Sequence, residues 1–196
     1  MRIVLTGGPG AGKSTAVRRL VEDDAFANWR RDLGGVAAVT ESATEVYGRR
    51  GLRWDRIDEE TRRDVQREIY RRQLQAEAEA PTDVGVVLLD RGTIDGSAYW
   101  PDGPEAYWRD VGSAPEVEAK RYDAVLLLQS SAAVGAYDGE STNAVRFESA
   151  AGALESDQTL HRLWSVHPRL IPVAATLDFE SKLGAIATTI RELIGA

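Results

Sequence analysis

Lys13, Ser14 and Asp90 are the residues of this chain best equipped for chemistry on phosphate. Lys13 and Ser14 close the run Thr6-Gly7-Gly8-Pro9-Gly10-Ala11-Gly12-Lys13-Ser14-Thr15, which follows the apolar stretch Arg2–Thr6. The spacing Gly-x4-Gly-Lys-Ser is that of a phosphate-binding loop. A polyphosphate carries dense charge and needs many donors at close range. Glycines let the backbone curl around it and turn successive N–H groups inward. A helix starting near Lys13 adds its positive end. Gly8, Pro9, Gly10, Ala11, Gly12, Lys13, Ser14 and Thr15 are therefore expected to bind the phosphates of ATP. Lys13 would reach the β- and γ-phosphates, and the Ser14 hydroxyl would hold Mg²⁺.

A second acidic signal follows the apolar run Val84–Leu89, which ends in Asp90-Arg91-Gly92. A buried strand ending in aspartate beside such a loop can hold a metal-bound water or accept a proton from an attacking hydroxyl. Asp90 could also simply cap the next helix. Arg91 would point toward a substrate or the transferring phosphate, or form a surface ion pair. Glu41 directly follows Thr40 at the end of another apolar run. In an open α/β sheet the crevice lies beyond the carboxyl ends of the strands, so Glu41 and Asp90 could face one cavity.

Further candidates lie downstream. Asp95, Tyr99 and Trp100 open a segment in which Tyr99, Trp100, Tyr107 and Trp108 supply four aromatics in ten residues. Such walls suit a flat or apolar acceptor, or ordinary packing. Asp95 could orient an acceptor hydroxyl or cap a turn. Asn143-Ala-Val-Arg146-Phe147-Glu148 ends a small, polar stretch from Ser130. Residues 130–150 are expected to form a flap that excludes water. Arg146 could swing onto the γ-phosphate and neutralise transition-state charge, with Glu148 holding it. His161 and His167 are not at metal spacing with other ligands.

The elements that must position these groups alternate between strand and helix, the sign of a parallel sheet covered on both faces. Strands are expected at Arg2–Thr6, Val36–Thr40, Val84–Leu89, Tyr122–Leu128 and Leu170–Ala174. A long polar helix runs from Asp58 to Ala80, with Ile57, Thr61, Val65 and Ile69 as its apolar stripe and Asp58/Arg62, Glu59/Arg63 and Glu68/Arg72 as pairs four apart. Its arginine run reads as a solvated face. Gly152–Val166 reads as a helix. A final helix from Phe179 to Ile194 carries Leu183, Ile186, Ile190 and Leu193 at helical spacing.

Bulk properties narrow the function. At 196 residues the chain is expected to be one domain. Its formal charge of −7 argues against a nucleic-acid partner. With no cysteine, disulfides, thiol catalysis and Cys-ligated metals are excluded. The first strand at the N-terminus does not read as a signal peptide, and no apolar stretch reaches the roughly 18–20 residues of a membrane span. A cytoplasmic protein, monomeric or homodimeric, is the expectation.

With these residues in hand, the chain resembles a family of P-loop proteins described as AAA-domain ATP-binding proteins, related to the nicotinamide-riboside kinase domain of NadR-type proteins and other small-molecule P-loop kinases. The resemblance rests on residues 6–15, Thr40-Glu41-Ser42-Ala43, Asp90-Arg91-Gly92-x-x-Asp95-Gly96-x-Ala98-Tyr99-Trp100, Val145-Arg146-Phe147-Glu148 and Val173-Ala174-Ala175. It implies a three-layer P-loop NTPase fold, α/β in class, with a five-stranded parallel sheet in the order 2-3-1-4-5 and helices on both faces. It also implies a flap near Arg146 and an adenine site around Ala175–Asp178. No ring-forming arginine finger is visible, so an oligomeric remodelling motor is not implied. The expected activity is transfer of the γ-phosphate of Mg·ATP to a hydroxyl or phosphate of a small acceptor. The alternative is a nucleotide-binding switch or slow NTPase. A guanine-specific version is disfavoured by the lack of an Asn-Lys-x-Asp motif.

Overall fold

A sheet of five parallel strands organises the molecule, in the order β2-β3-β1-β4-β5. The computed structural model describes residues 1–137 and 149–195. The strands are β1 (Arg2–Thr6), β2 (Val36–Val39), β3 (Val86–Asp90), β4 (Ala124–Leu128) and β5 (Leu170–Val173). The three central strands are nearly continuous apolar runs because helices cover both their faces. The expected sheet and strand order are thus observed. Val84 and Tyr122 fall outside the ladder, and Asp90 lies inside it, paired in register with Leu5.

The helices are α1 (Lys13–Glu22), α2 (Ala27–Asp32), α3 (Ser42–Arg50), α4 (Glu59–Glu79), α5 (Pro104–Val111), α6 (Pro115–Ala119), α7 (Ala150–Trp164) and α8 (Phe179–Ile194). Strand period 2 sends alternate residues to opposite cores. Ile3 and Leu5 of β1 join Leu20, Trp29, Leu126, Leu183 and Ile186 on the side of α1, α2 and α8. Val4 joins Leu89, Tyr107, Trp108, Leu160 and Trp164 on the side of α5 and α7. A third cluster packs Val65 of α4 on Ala43, Val46 and Tyr47 of α3, with Ile57 and Ile69 alongside. The stripe read on α4 therefore faces α3.

Local chemistry sets the ends of these helices. Asp58 caps α4 by accepting from Thr61 N at 2.7 Å, so it does not pair with Arg62 as expected. Glu59 does bond Arg63. Glu68 instead meets Arg49 and Arg50, while Arg72 meets Glu45. Arg63 and Arg67 reach Asp102 and Asp110 near α5. The arginine face of α4 ties elements together rather than only facing solvent. The aromatic segment is helical: a 3₁₀ helix spans Thr93–Tyr99, and Pro104 starts α5 at a position where its missing N–H costs no bond. No helix among the described residues is long and apolar enough to cross a membrane.

Candidate active site

The loop after β1 is held from outside by its carbonyls. The Ser130 hydroxyl donates to Pro9 O at 2.5 Å, Ser131 N to Gly10 O at 3.2 Å, and Lys182 Nζ to Ala11 O at 2.8 Å. Lys13 Nζ folds back onto Gly7 O and Gly8 O at 2.7 and 2.9 Å. Gly12 O accepts from Ala16 N. A trans peptide points its C=O and the following N–H in opposite directions, so carbonyls anchored outward aim the loop amides into the concave side. Gly12 has φ 81, and a Cβ there would lie 2.5 Å from the Phe179 ring. Only glycine fits that turn.

The Asp157 carboxylate of α7 braces this loop. One oxygen accepts from Gly8 N at 2.6 Å and the other from Ser130 N at 2.7 Å. Residues 130–137, the start of the expected flap, thus include a docked segment, with a 3₁₀ helix at Ser131–Val134. Arg146, with Asn143, Phe147 and Glu148, lies outside the described residues. Ala175 and Asp178 sit in the connection from β5 to α8, which Phe179 presses against Gly12. Ala175 N donates to the Gln129 side chain at 3.1 Å, and Asp178 caps α8 through Glu180 N and Ser181 N.

Asp90 is 3% exposed, and its Oδ1 has no hydrogen-bond partner among the described residues. Burial and the Glu41 carboxylate raise its pKa; Lys13, the Ser14 hydroxyl and Arg91 pull it back. Ser14 itself is exposed. An orphaned carboxylate oxygen beside a serine hydroxyl is a hard-oxygen donor set that fits Mg²⁺, which takes one or two protein ligands and completes its shell with water and phosphate. Among the described residues no cluster of three or more His, Cys, Asp or Glu could hold a metal by itself.

Beyond β2 and β3 lies a cavity of about 560 Å³. Its aromatic wall is Tyr47, Trp54, Tyr70, Tyr99, Trp100 and Tyr107, and its polar groups include Glu41, Arg62, Gln66, Gln73, Arg91 and Asp95. Residues of α7 from Gly152 to Leu160 close another side. Trp108 is not among the lining residues; it packs in the core against Tyr107.

Arg91 stands where the phosphate loop meets this cavity. It has φ 77, a left-handed conformation that non-glycine residues seldom adopt outside functional sites. Its Nε donates to Glu41 Oε1 at 2.6 Å and its Nη1 to Asp95 Oδ1 at 3.1 Å. Burial opposes its charge, but Tyr99, Glu41, Asp95 and Asp90 outweigh burial and raise its pKa well above the ordinary value. Asp95 is fully engaged: Oδ1 also accepts from Thr6 Oγ1 at 2.7 Å, and Oδ2 from Trp164 Nε1 at 3.0 Å and Gly92 N at 3.2 Å. Glu41 Oε2 accepts from Thr44. Gln73 of α4 supports the arrangement, donating to Arg91 O at 3.2 Å and Glu77 at 3.0 Å while accepting from Ser42 at 2.9 Å.

Sequence reading alone did not single out Ser130, Asp157, Lys182 or Gln73. Gln66, Gln73 and Glu77 recur at helical spacing on the buried side of α4, and Lys182 stands in line with Ile186 and Ile190 on that of α8. A polar residue on an inner stripe is the available signal. His167, which the sequence does not tie to a metal, is structural: its ring bonds Tyr122 O and accepts from Arg169 N.

A family model described as an AAA domain matches residues 2–181. The chain belongs to this AAA-domain family. Its P-loop fold also matches two solved NadR protein structures, one in complex with NAD and AMP-PNP and one in complex with NR. Both have a TM-score of 0.64 and 16% identity, and both cover 100% of this chain. They share its fold. This AAA-domain chain spans about half of those NadR chains, 49% and 51% of their lengths. No curated protein sequence matches it.

Proposed function

We propose that this protein is a small-molecule kinase that moves the γ-phosphate of Mg·ATP to a hydroxyl or phosphate of a small acceptor. The observation that carries this reading is a pair of compartments, an amide cradle and an aromatic cavity, with Asp90 beside Lys13 and Ser14 of the first and Glu41 and Arg91 of the second. A protein that only hydrolyses nucleotide has no need of the second compartment. NadR structures of the same fold hold AMP-PNP, NAD and NR, which supports a nucleotide donor and a ring-bearing acceptor here.

In this reading the amides of Gly10 and of residues 12–15, with the Lys13 ammonium, bind the phosphate chain, while Gly8 N–H stays on Asp157 and Ala11 N–H on Gly8 O. A phosphate in the cradle would draw Lys13 away from the Gly7 and Gly8 carbonyls, a charge-assisted contact replacing neutral ones. Ser14 would hold Mg²⁺ and Asp90 a water of its shell; when bound, the ion would neutralise charge developing on the phosphates. The adenine lies near Ala175–Asp178. The acceptor rests on Tyr99 and Trp100 with its reacting hydroxyl toward Glu41 and Asp90. The proton leaving that hydroxyl passes to Asp90, whose proton affinity is raised by burial and by the Glu41 carboxylate. Arg91 fixes Glu41 and, with Asp95, the cavity floor. Arg146 is assigned to the γ-phosphate, and the chain from 1 to 196 acts as one unit, cytoplasmic, binding neither nucleic acid nor membrane.

Incubation with Mg·ATP and a panel of nucleosides, sugars and alcohols tests the proposal. ADP release that depends on one class of acceptor is the expected result. Tight nucleotide binding with no acceptor dependence would instead mark a nucleotide-operated switch.

A further inference from the structure

Lys182 lies on α8, far in sequence from the phosphate loop, and only 4% of it is exposed. Its ammonium donates to Ala11 O at 2.8 Å and Gln129 O at 2.6 Å, tying the loop to the end of β4. Burial lowers its pKa to about 8, opposed by the charge of Asp157. Packing does not explain this residue. Position 182 continues the buried side of α8 above Leu183 and Ile186, where an apolar side chain would avoid the cost of burying a charge. A neutral tie would also suffice for anchoring, as the Ser130 hydroxyl on Pro9 O demonstrates. What an ammonium adds is positive charge directly behind the cradle.

We infer that Lys182 is a positioning residue of the phosphate cradle, holding the Ala11 carbonyl outward so that the Ala11–Gly12 peptide turns its N–H toward a bound polyphosphate. The geometry follows from the planar trans peptide: with the carbonyl fixed on Lys182, the Gly12 N–H faces the other way. The residue touches no phosphate and acts through the main chain. The inference rests on the nucleotide-binding part of the proposed function and goes beyond it by assigning a second lysine, outside the motif, to the same ligand.

Calorimetric titration of the full chain with Mg·ADP, read beside melting curves without and with Mg·ADP, tests it. Lys182→Met is expected to weaken Mg·ADP by about tenfold or more, roughly 1.4 kcal/mol, and to shrink the ligand-induced rise in melting temperature. Lys182→Arg keeps charge and donors and is expected to restore both. A side chain that served stability alone would lower the ligand-free melting temperature and leave affinity in place. If Lys182→Met does not fold, Lys182→Ala, which removes the N–H donor together with the charge, is read the same way. Wild-type affinity in the neutral variants would overturn the inference while leaving the nucleotide reading intact. Failure of the wild-type chain itself to bind Mg·ADP would overturn the nucleotide reading and the inference with it.

Discussion

The phosphate cradle and the aromatic cavity lie at the carboxyl edge of one sheet, yet they are built in opposite ways. The cradle is main chain: one contiguous loop, its carbonyls pinned by Ser130, Ser131, Lys13 and Lys182. The cavity is side chain: its walls come from α3, α4, the 3₁₀ helix at Thr93–Tyr99, α5 and α7. A backbone site demands particular φ values and so restricts residue type at fixed spacing. A side-chain site can be assembled from many positions, and its chemistry can change without disturbing the fold. Arg91 belongs to the cavity, a strained residue locked between Glu41 and Asp95 immediately after the β3 aspartate, and it is Asp90 that faces Lys13 and Ser14 of the cradle.

The contrast can be broken most sharply at Asp90. Asp90→Asn is expected to cut turnover by about 10²–10⁴-fold, the usual range for losing a positioned proton acceptor, while Mg·ADP still binds by calorimetry. Unchanged turnover would remove Asp90 from the chemistry. Next in size, Lys13→Met is expected to weaken nucleotide binding by about 10²-fold, as for loss of one preorganised donor to a charged group, with little change in acceptor binding measured separately. An equal loss on both sides would mean that the two regions are not distinct.

The pH dependence sharpens the same comparison. Burial and Glu41 raise the pKa of Asp90, so the group gains its proton at a higher pH than an ordinary carboxylate. It accepts a proton only when ionised. The rate at limiting substrate is therefore expected to fall as pH drops, beginning above the ordinary carboxylate range. A steady-state profile that is flat down to that range would contradict this.

Smaller effects are expected in the cavity. Gln73→Leu leaves Ser42, Glu77 and the Arg91 carbonyl short of a partner. Loss of about 1–3 kcal/mol of stability is expected, together with a several-fold rise in acceptor KM and little change in Mg·ADP affinity. Chemical denaturation and kinetics on one preparation would check both.

How much of this was legible in the sequence follows the same division. The cradle, the β3 aspartate, the five strands and their parallel arrangement could be read because glycine conformation and continuous apolar runs leave local marks. The strand order came from family resemblance. The cavity was legible through Glu41, Arg91, Asp95, Tyr99, Trp100 and Tyr107, which follow the ends of β2 and β3 in the chain. Gln66, Gln73 and Trp54 were not, because what brings them together is the packing of α4 on α3, with no local signature. Asp95 reads as a candidate for acceptor binding or a cap; of its four hydrogen bonds the one from Gly92 N caps the turn, and the others come from Thr6, Arg91 and Trp164. Lys182 and Asp157 were missed because each acts on the loop from more than a hundred residues away.

The most direct test of phosphoryl transfer between the two regions is to follow the terminal phosphate itself. The protein is incubated with Mg·ATP labelled at the γ-phosphate and a pool of cell metabolites, and the products are separated by chromatography. Label moving onto a small molecule with wild-type protein, and not with Asp90→Asn, is the expected result. Label that stays on the nucleotide, or appears only as inorganic phosphate, would contradict it.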